Sequence, residues 1–189
     1  VVANSITVTV TRGATTVYTT TEDLNTRDVV DWYTYFFEDF TTKPSVVLFD
    51  LPPYTNAVIT VTFTATSGNV ACGSLVIGSY EYLGEAEVGS ESDVLNFSTV
   101  DRDFAGTSVL VPRRNVPKTN QKVYVDKGRV NRIIDVREAL NAAPAVWSGI
   151  DDDANEYFEA LLILGYYKRF TINLAYHEKA VLNIELEEV

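Results

Sequence analysis

One cysteine, Cys72, and one histidine, His177, are all that this 189-residue chain offers for thiol or imidazole chemistry. Nucleophilic catalysis of the serine or cysteine kind needs a positioned base. His177 lies in AYHEKA between two expected strands, where a turn-exposed histidine is the simpler reading. The same shortage leaves no His-based or thiolate-rich zinc site. Asp151, Asp152 and Asp153 are the strongest metal candidates, because hard carboxylates in a loop suit calcium. Their spacing is not the alternating D-x-D-x-D-G of a calcium loop, and no bidentate glutamate follows at the required distance. Solvated loop acids, some capping the turn at 154–158, are therefore expected, with no metal and no other cofactor.

Carboxylate pairs for glycoside hydrolysis could be drawn from Glu38, Asp39, Asp50, Glu81, Glu85 and Glu87, but the separation that matters is spatial. No glycine-rich loop with a lysine precedes a helix, as a phosphate cradle requires. Arg113-Arg114 is the one compact basic pair; it fits a salt bridge to an acidic neighbour, or a contact to an anion or a partner protein. Asn96-Phe97-Ser98 matches a glycosylation acceptor without a secretion signal to support it. No catalytic constellation emerges, and the chain reads as one that binds or builds rather than as an enzyme.

The elements that would carry these residues fall into two grammars. From Ser5 to about Phe97, SITVTVTR, TTVYTTT, VVDWYTYFF, VVLFDL, AVITVTFTAT and VACGSLVIGS are rich in β-branched and aromatic residues. ITVTVT and VITVTFTAT alternate apolar residues with threonine, which predicts a sheet with one wet face. Turn signals separate the runs, and Pro52-Pro53 must end VVLFDL. Residues 1–98 are thus expected to form an antiparallel jelly-roll-type β-sandwich, with Cys72 a buried small hydrophobe. From residue 99 to 189 a small α+β domain is expected, one main helix on an antiparallel sheet, in a chain that is mainly β. TSVLVPRR and QKVYV read as strands, and DKGRVNRIIDVREALNAAP as the helix. Val130, Ile133, Ile134, Arg137 and Leu140 make its stripe, Asp126 its cap and Pro144 its stop. KRFTINLAY and AVLNIELEEV read as closing strands, while ALLILGYY suits a strand or, on periodicity alone, a helix.

A net charge of −11 and a pI near 4.5 argue against a nucleic-acid partner, which needs clustered Lys and Arg. No apolar run approaches the ~20 residues of a membrane span. Methionine is absent even from position 1, so VVANS is expected to be the cut edge of a longer protein.

Taken in order, DWYTYFFEDF, VLFDLPPYTNAVITVTF, GSLVIGSYEYLGEAEVG, VDRDFAGTSVLVPRRN, LNAAPAVWSGIDD, ALLILGYYKRFTINLAY and the final IELEEV resemble a family of tail proteins of siphophages and related prophages. The resemblance runs from about Asp28 to the C-terminus. It implies a structural component of a tail tip or baseplate, a minor tail protein of the virion made in the host cytoplasm. Its partners would be other tail proteins and copies of itself, and it would carry a carbohydrate-binding-like β-sandwich. The alternative it implies is a host-attachment module that binds a cell-surface carbohydrate by aromatic stacking, with Trp32, Tyr33, Tyr35 and Tyr54 as the glycan or partner contacts.

The stretch DWYTYFFEDF, six aromatic residues in ten, bears on that choice. Read as a strand, it points Trp32, Thr34, Phe36, Glu38 and Phe40 one way and Tyr33, Tyr35, Phe37 and Asp39 the other. With both faces largely aromatic, a central strand covered on both sides is expected.

Overall fold

A computed structural model describes residues 3–26, 29–37, 41–84, 86–152, 155, 157–174 and 177–189. Its sheets are antiparallel and it has one main helix, so the mainly-β expectation holds. Two compact units divide the chain, residues 1–78 and 79–189.

In the first unit the elements are β1 (Ser5–Arg12), β2 (Thr15–Asp23), β3 (Asn25–Thr26), the short helix α1 (Trp32–Phe37), β4 (Thr41–Thr42) and β5 (Val58–Thr64). β1 is the middle strand of a three-stranded sheet ordered β2-β1-β5, and β3 pairs with β4. Gly13, in the left-handed region at φ 63°, makes the tight turn from β1 to β2. The threonine alternation works as predicted. Ile6, Val8 and Val10 stand opposite Phe63, Val61 and Ile59 on one face. On the other, Thr7 and Thr9 stand between Thr21 and Thr19 of β2 and Thr62 and Thr60 of β5. Hydroxyl pairs at 3.0 Å (Thr7–Thr21) and 3.3 Å (Thr9–Thr19) tie the wet face together. Leu24, Val46, Leu48 and Leu51 pack against the apolar face.

Three expected strands of this unit have other conformations. VVLFDL lies across the apolar face of the sheet with no strand ladder; Pro44 before it and Pro52-Pro53 after it limit backbone donation, and its value to the fold is side-chain packing. VACGSLVIGS, residues 70–79, holds no strand and is exposed, Cys72 included. The aromatic stretch is helical at 32–37 and buries none of its side chains.

The second unit contains β6 (Glu91–Asn96), β7 (Thr99–Arg102), β8 (Ser108–Val111), β9 (Asn115–Asp126), the main helix α2 (Val130–Ala139), β10 (Ala145–Trp147), β11 (Ile163–Asn173) and β12 (Lys179–Glu188). Five strands form one sheet in the order β10-β11-β12-β9-β6. The sequence changes grammar near residue 98, and β6, at 91–96, pairs in this second sheet. ALLILGYY resolves as strand from Ile163 after a 3-10 turn at Glu159–Leu161.

Leu182, Ile184 and Leu186 of β12 meet Val123 and Val125 of β9, Ile163 and Phe170 of β11, and Trp147 of β10. Ile133 closes this core from α2, with Leu140 packed beside it, and Val130, Ile134 and Arg137 half-buried along the same stripe. The Tyr167 hydroxyl donates to the Arg137 carbonyl at 3.0 Å, which fastens the helix end to β11. Asp126 is the last residue of β9 and its side chain makes no cap bond; a 3-10 turn, Lys127–Arg129, leads into the helix instead. The helix ends at Ala139, before Pro144, and Ala142 takes a left-handed conformation at φ 57° in the turn that follows.

Leu182 is wholly buried, so Leu182→Ala should cost about 3 kcal/mol. The measurement is a lower denaturant midpoint at unchanged slope, followed by emission of the buried Trp147. A Cβ at Gly165 would stand 2.1 Å from the Glu187 carbonyl oxygen of the neighbouring strand. Gly165→Ala should therefore destabilise the same transition by about 1–3 kcal/mol.

Candidate functional site

The aromatic stretch became a helix for a local reason. Thr34 N–H donates to Asp31 Oδ1 at 2.7 Å, while the backbone N–H groups of Val30 and Asp31 donate to Thr34 Oγ1 at 3.2 and 3.1 Å. The Thr34 hydroxyl in turn donates to the Asp31 carbonyl at 2.9 Å. This reciprocal box satisfies the donors a helix start leaves bare. Six residues are too few for a helix to persist on backbone bonds alone, so the cap and the ring contacts matter. At helical spacing Trp32 stacks on Phe36, with centroids 6.3 Å apart and planes 19° apart. Tyr33 meets Phe37 at 5.2 Å, and Tyr35 meets Phe36 edge-on at 5.1 Å.

All of this lies in water. Trp32 is 79% exposed, and Tyr33, Tyr35, Phe36 and Phe37 are each more than half exposed. The expected two-sided burial is thus reversed: a strand would have needed ladder partners along 32–37, and the chain supplies a helix cap instead. Trp32, Tyr33 and Tyr35 are brought together on this one turn of helix; Glu38, Asp39 and Phe40 lie outside the described residues. Tyr54 sits in a separate turn with the Arg12 guanidinium 5.7 Å over its ring.

A second exposed surface includes the expected strand TSVLVPRR, seen as β8, but its pairing with β7 into a ribbon was not expected from the sequence. Beyond the end of β6 and the start of β9 the pairing breaks at 97–98 and 112–114, then resumes as the two-stranded ladder β7–β8. Residues 97–114 form this hairpin arm. The Arg113 N–H donates to Ser98 Oγ at 3.0 Å at its base. At its tip Asp103 and Thr107 close a turn at 2.9 Å, with Gly106 in the left-handed region at φ 83°. Val109 and Val111 lie on one face with Thr99 and Asp101, and Val100 and Leu110 lie on the other with Arg102 and Ser108. Every residue of both strands is exposed. Phe97 is also exposed, and Phe104 at the tip is fully so. A two-stranded ribbon with apolar residues on both faces is marginal in water by itself. The sequence signal that could have found it is DRDFAGTS, a turn flanked by TV and VLV, where apolar residues fall on both sides of the pleat.

The remaining candidates stay apart from one another. Asp151 and Asp152 are exposed in a bend, and Asp153 lies outside the described residues. Among the described residues no three His, Cys, Asp or Glu side chains form a group that could hold a metal ion. His177 is exposed. Arg114 pairs with Glu188 at 3.1 Å and also donates to the Val189 carbonyl, the salt bridge expected of the pair. Arg113 has an exposed side chain and makes no ion pair among the described residues. Asp50 accepts a 2.8 Å bond from the Tyr18 hydroxyl, whose pKa burial and then Asp50 push upward. Glu81 is held below its usual pKa chiefly by hydrogen bonds from Arg132, at 2.8 and 3.1 Å. Asp31 is also held down, first by the Thr34 backbone N–H. Both shifts run opposite to what a general acid requires. Glu38, Asp39 and Glu85 lie outside the described residues. No helix among the described residues is long and apolar enough to cross a membrane.

In comparisons with known proteins, no family model matches the chain and no curated protein does.

The cap on α1 should respond to acid with a definite sign. Because the folded-state pKa of Asp31 is depressed, its contribution is present above the ordinary carboxylate range and is lost as pH falls through the folded value. The Trp32 indole resonance should shift on acidification. It should sit at the acid-form position at neutral pH in Asp31→Ala, while Asp31→Asn keeps much of the helical position.

Proposed function

We propose that this chain is a structural subunit of a bacteriophage tail tip or baseplate, packing against other tail proteins and against copies of itself in the virion. The observation that carries this reading is the apolar side chains left exposed on two features, helix α1 and the 97–114 arm. A solitary soluble protein rarely exposes contiguous apolar patches of this kind, whereas a subunit covered by neighbours must. The ordered string of tail-protein motifs supplies the context. In this proposal the first unit is the carbohydrate-binding-like module, its three-stranded sheet and the covering 46–51 segment standing for the sandwich.

One observation favours a second reading, a host-attachment module that binds cell-surface glycan. Trp32 and Phe36 present nearly parallel exposed rings, with Tyr33 and Tyr35 adjacent, and flat exposed aromatics are what sugar rings stack on.

The structural reading is tested by location: labelling of purified tailed particles should place this chain at the tail tip, and its absence from the particle would overturn it. Calorimetric titration with host envelope glycans should give no saturable binding. Saturable binding abolished by Trp32→Ala would transfer the assignment to the attachment module.

A further inference from the structure

We propose that residues 79–82 are a strap, clasped against the second unit by two arginines at the start of helix α2, which opens by itself while the five-stranded sheet stays folded. The second unit begins with this segment.

The segment and the residues after it are held by different forces. From Leu83 onward the hold is apolar contact and backbone bonding. Leu83 packs against the core of the sheet. Gly84, at φ 131°, lies so close on β9 that a Cβ there would stand 2.5 Å from Val123 Cγ1 and 3.0 Å from the Tyr124 carbonyl oxygen. Ala86 bridges to Val123, its N–H donates to the Gly149 carbonyl at 2.9 Å, and the Glu87 N–H donates to the Lys122 carbonyl at 2.7 Å. These contacts belong to the sheet and open when it opens.

Residues 79–82 have neither helix nor strand, and the start of α2 reaches them with side chains. Arg132 grips Glu81 with two prongs, Nε to Oε1 at 3.1 Å and Nη2 to Oε2 at 2.8 Å. Arg129, in the 3-10 turn before the helix, donates to the Tyr82 carbonyl and lays its guanidinium 5.5 Å over the Tyr82 ring. Tyr82 and the Arg132 side chain are exposed. A fork on a carboxylate fixes geometry, but an exposed pair contributes little free energy, so the closed position is specific and weakly held.

Opening has a defined consequence for the chain. The 65–78 segment that precedes the strap contains no strand. Release of 79–82 adds four residues, about 13 Å of extended chain, to the connection between the two units. The two arginines thus set the length of that connection.

Chymotrypsin acting on the full chain under native conditions tests the proposal. Cleavage after Tyr80 and Tyr82 reports the open strap, and cleavage after the exposed Phe104 is the control. Arg132→Ala keeps a good helix former in α2 and should raise cleavage at both tyrosines about three- to fivefold, with cleavage at Phe104 unchanged. Arg132→Lys, which keeps the charge and loses the fork, should fall between the two. High salt should raise strap cleavage in the wild type and leave Arg132→Ala unmoved. Hydrogen exchange of the Leu182 amide, in the strand paired along both edges, should be the same in all three proteins. Strap cleavage equal in wild type and Arg132→Ala, or rising only together with Leu182 exchange, would overturn the proposal.

Discussion

Strand β12 is the constraint on which the second unit depends. It is paired along both edges, by β9 and by β11, so its backbone groups have nowhere else to go. One of its faces must then be buried, and Ala180, Leu182, Ile184 and Leu186 alternate to supply it. That apolar stripe fixes register, because a slip of one residue would turn Asn183, Glu185 and Glu187 inward. The other face uses the same pairing for charge, with Lys168 against Glu187 and Arg169 near Glu185 at strand spacing. These surface pairs orient the strands more than they stabilise them. Helix α2 has a place to dock because that stripe exists, and the Tyr167 hydroxyl holds it there.

The anchored sheet explains why a ribbon as exposed as β7–β8 persists. β6 and β9 are parts of the main sheet, and the arm continues their pairing outward past a break. Its ends are held by the sheet and by Ser98, and Arg114 ties the return strand to Glu188. A hairpin that would fray alone is kept in register from its base. Helix α1 falls in sequence between the two strands of a two-residue ladder, β3 with β4, and the Asp31–Thr34 box starts it. In both cases a small number of polar bonds holds apolar groups in water, an arrangement suited to meeting another surface.

The first unit follows a different rule. Its threonine face needs no cover, since hydroxyls bond to each other and to water. Its apolar face is sealed by a segment that is not a strand, 46–51, which contributes side chains without ladder bonds. Proline at both ends of that segment is compatible with packing and poor for pairing, which separates two properties that a β-rich sequence run confounds.

The sequence by itself determined what depends on near neighbours along the chain. The alternation in ITVTVT, the helical stripe from Val130 to Leu140, the closing strands and the absence of a thiol or imidazole cluster all follow from spacing and composition. Glycine and proline signals placed most turns. Tertiary structure alone decided which apolar runs find cover. DWYTYFFEDF and VACGSLVIGS have the composition of buried strands, yet residues 31–37 of the first are unburied and the whole of the second is exposed, because burial depends on what arrives from elsewhere in the chain and local pattern carries no record of it. The same holds for Arg113 and Arg114, adjacent in sequence, of which one meets Glu188 and the other faces water. Helix α1 and the β7–β8 hairpin are accordingly places where a strong local hydrophobic signal stays exposed.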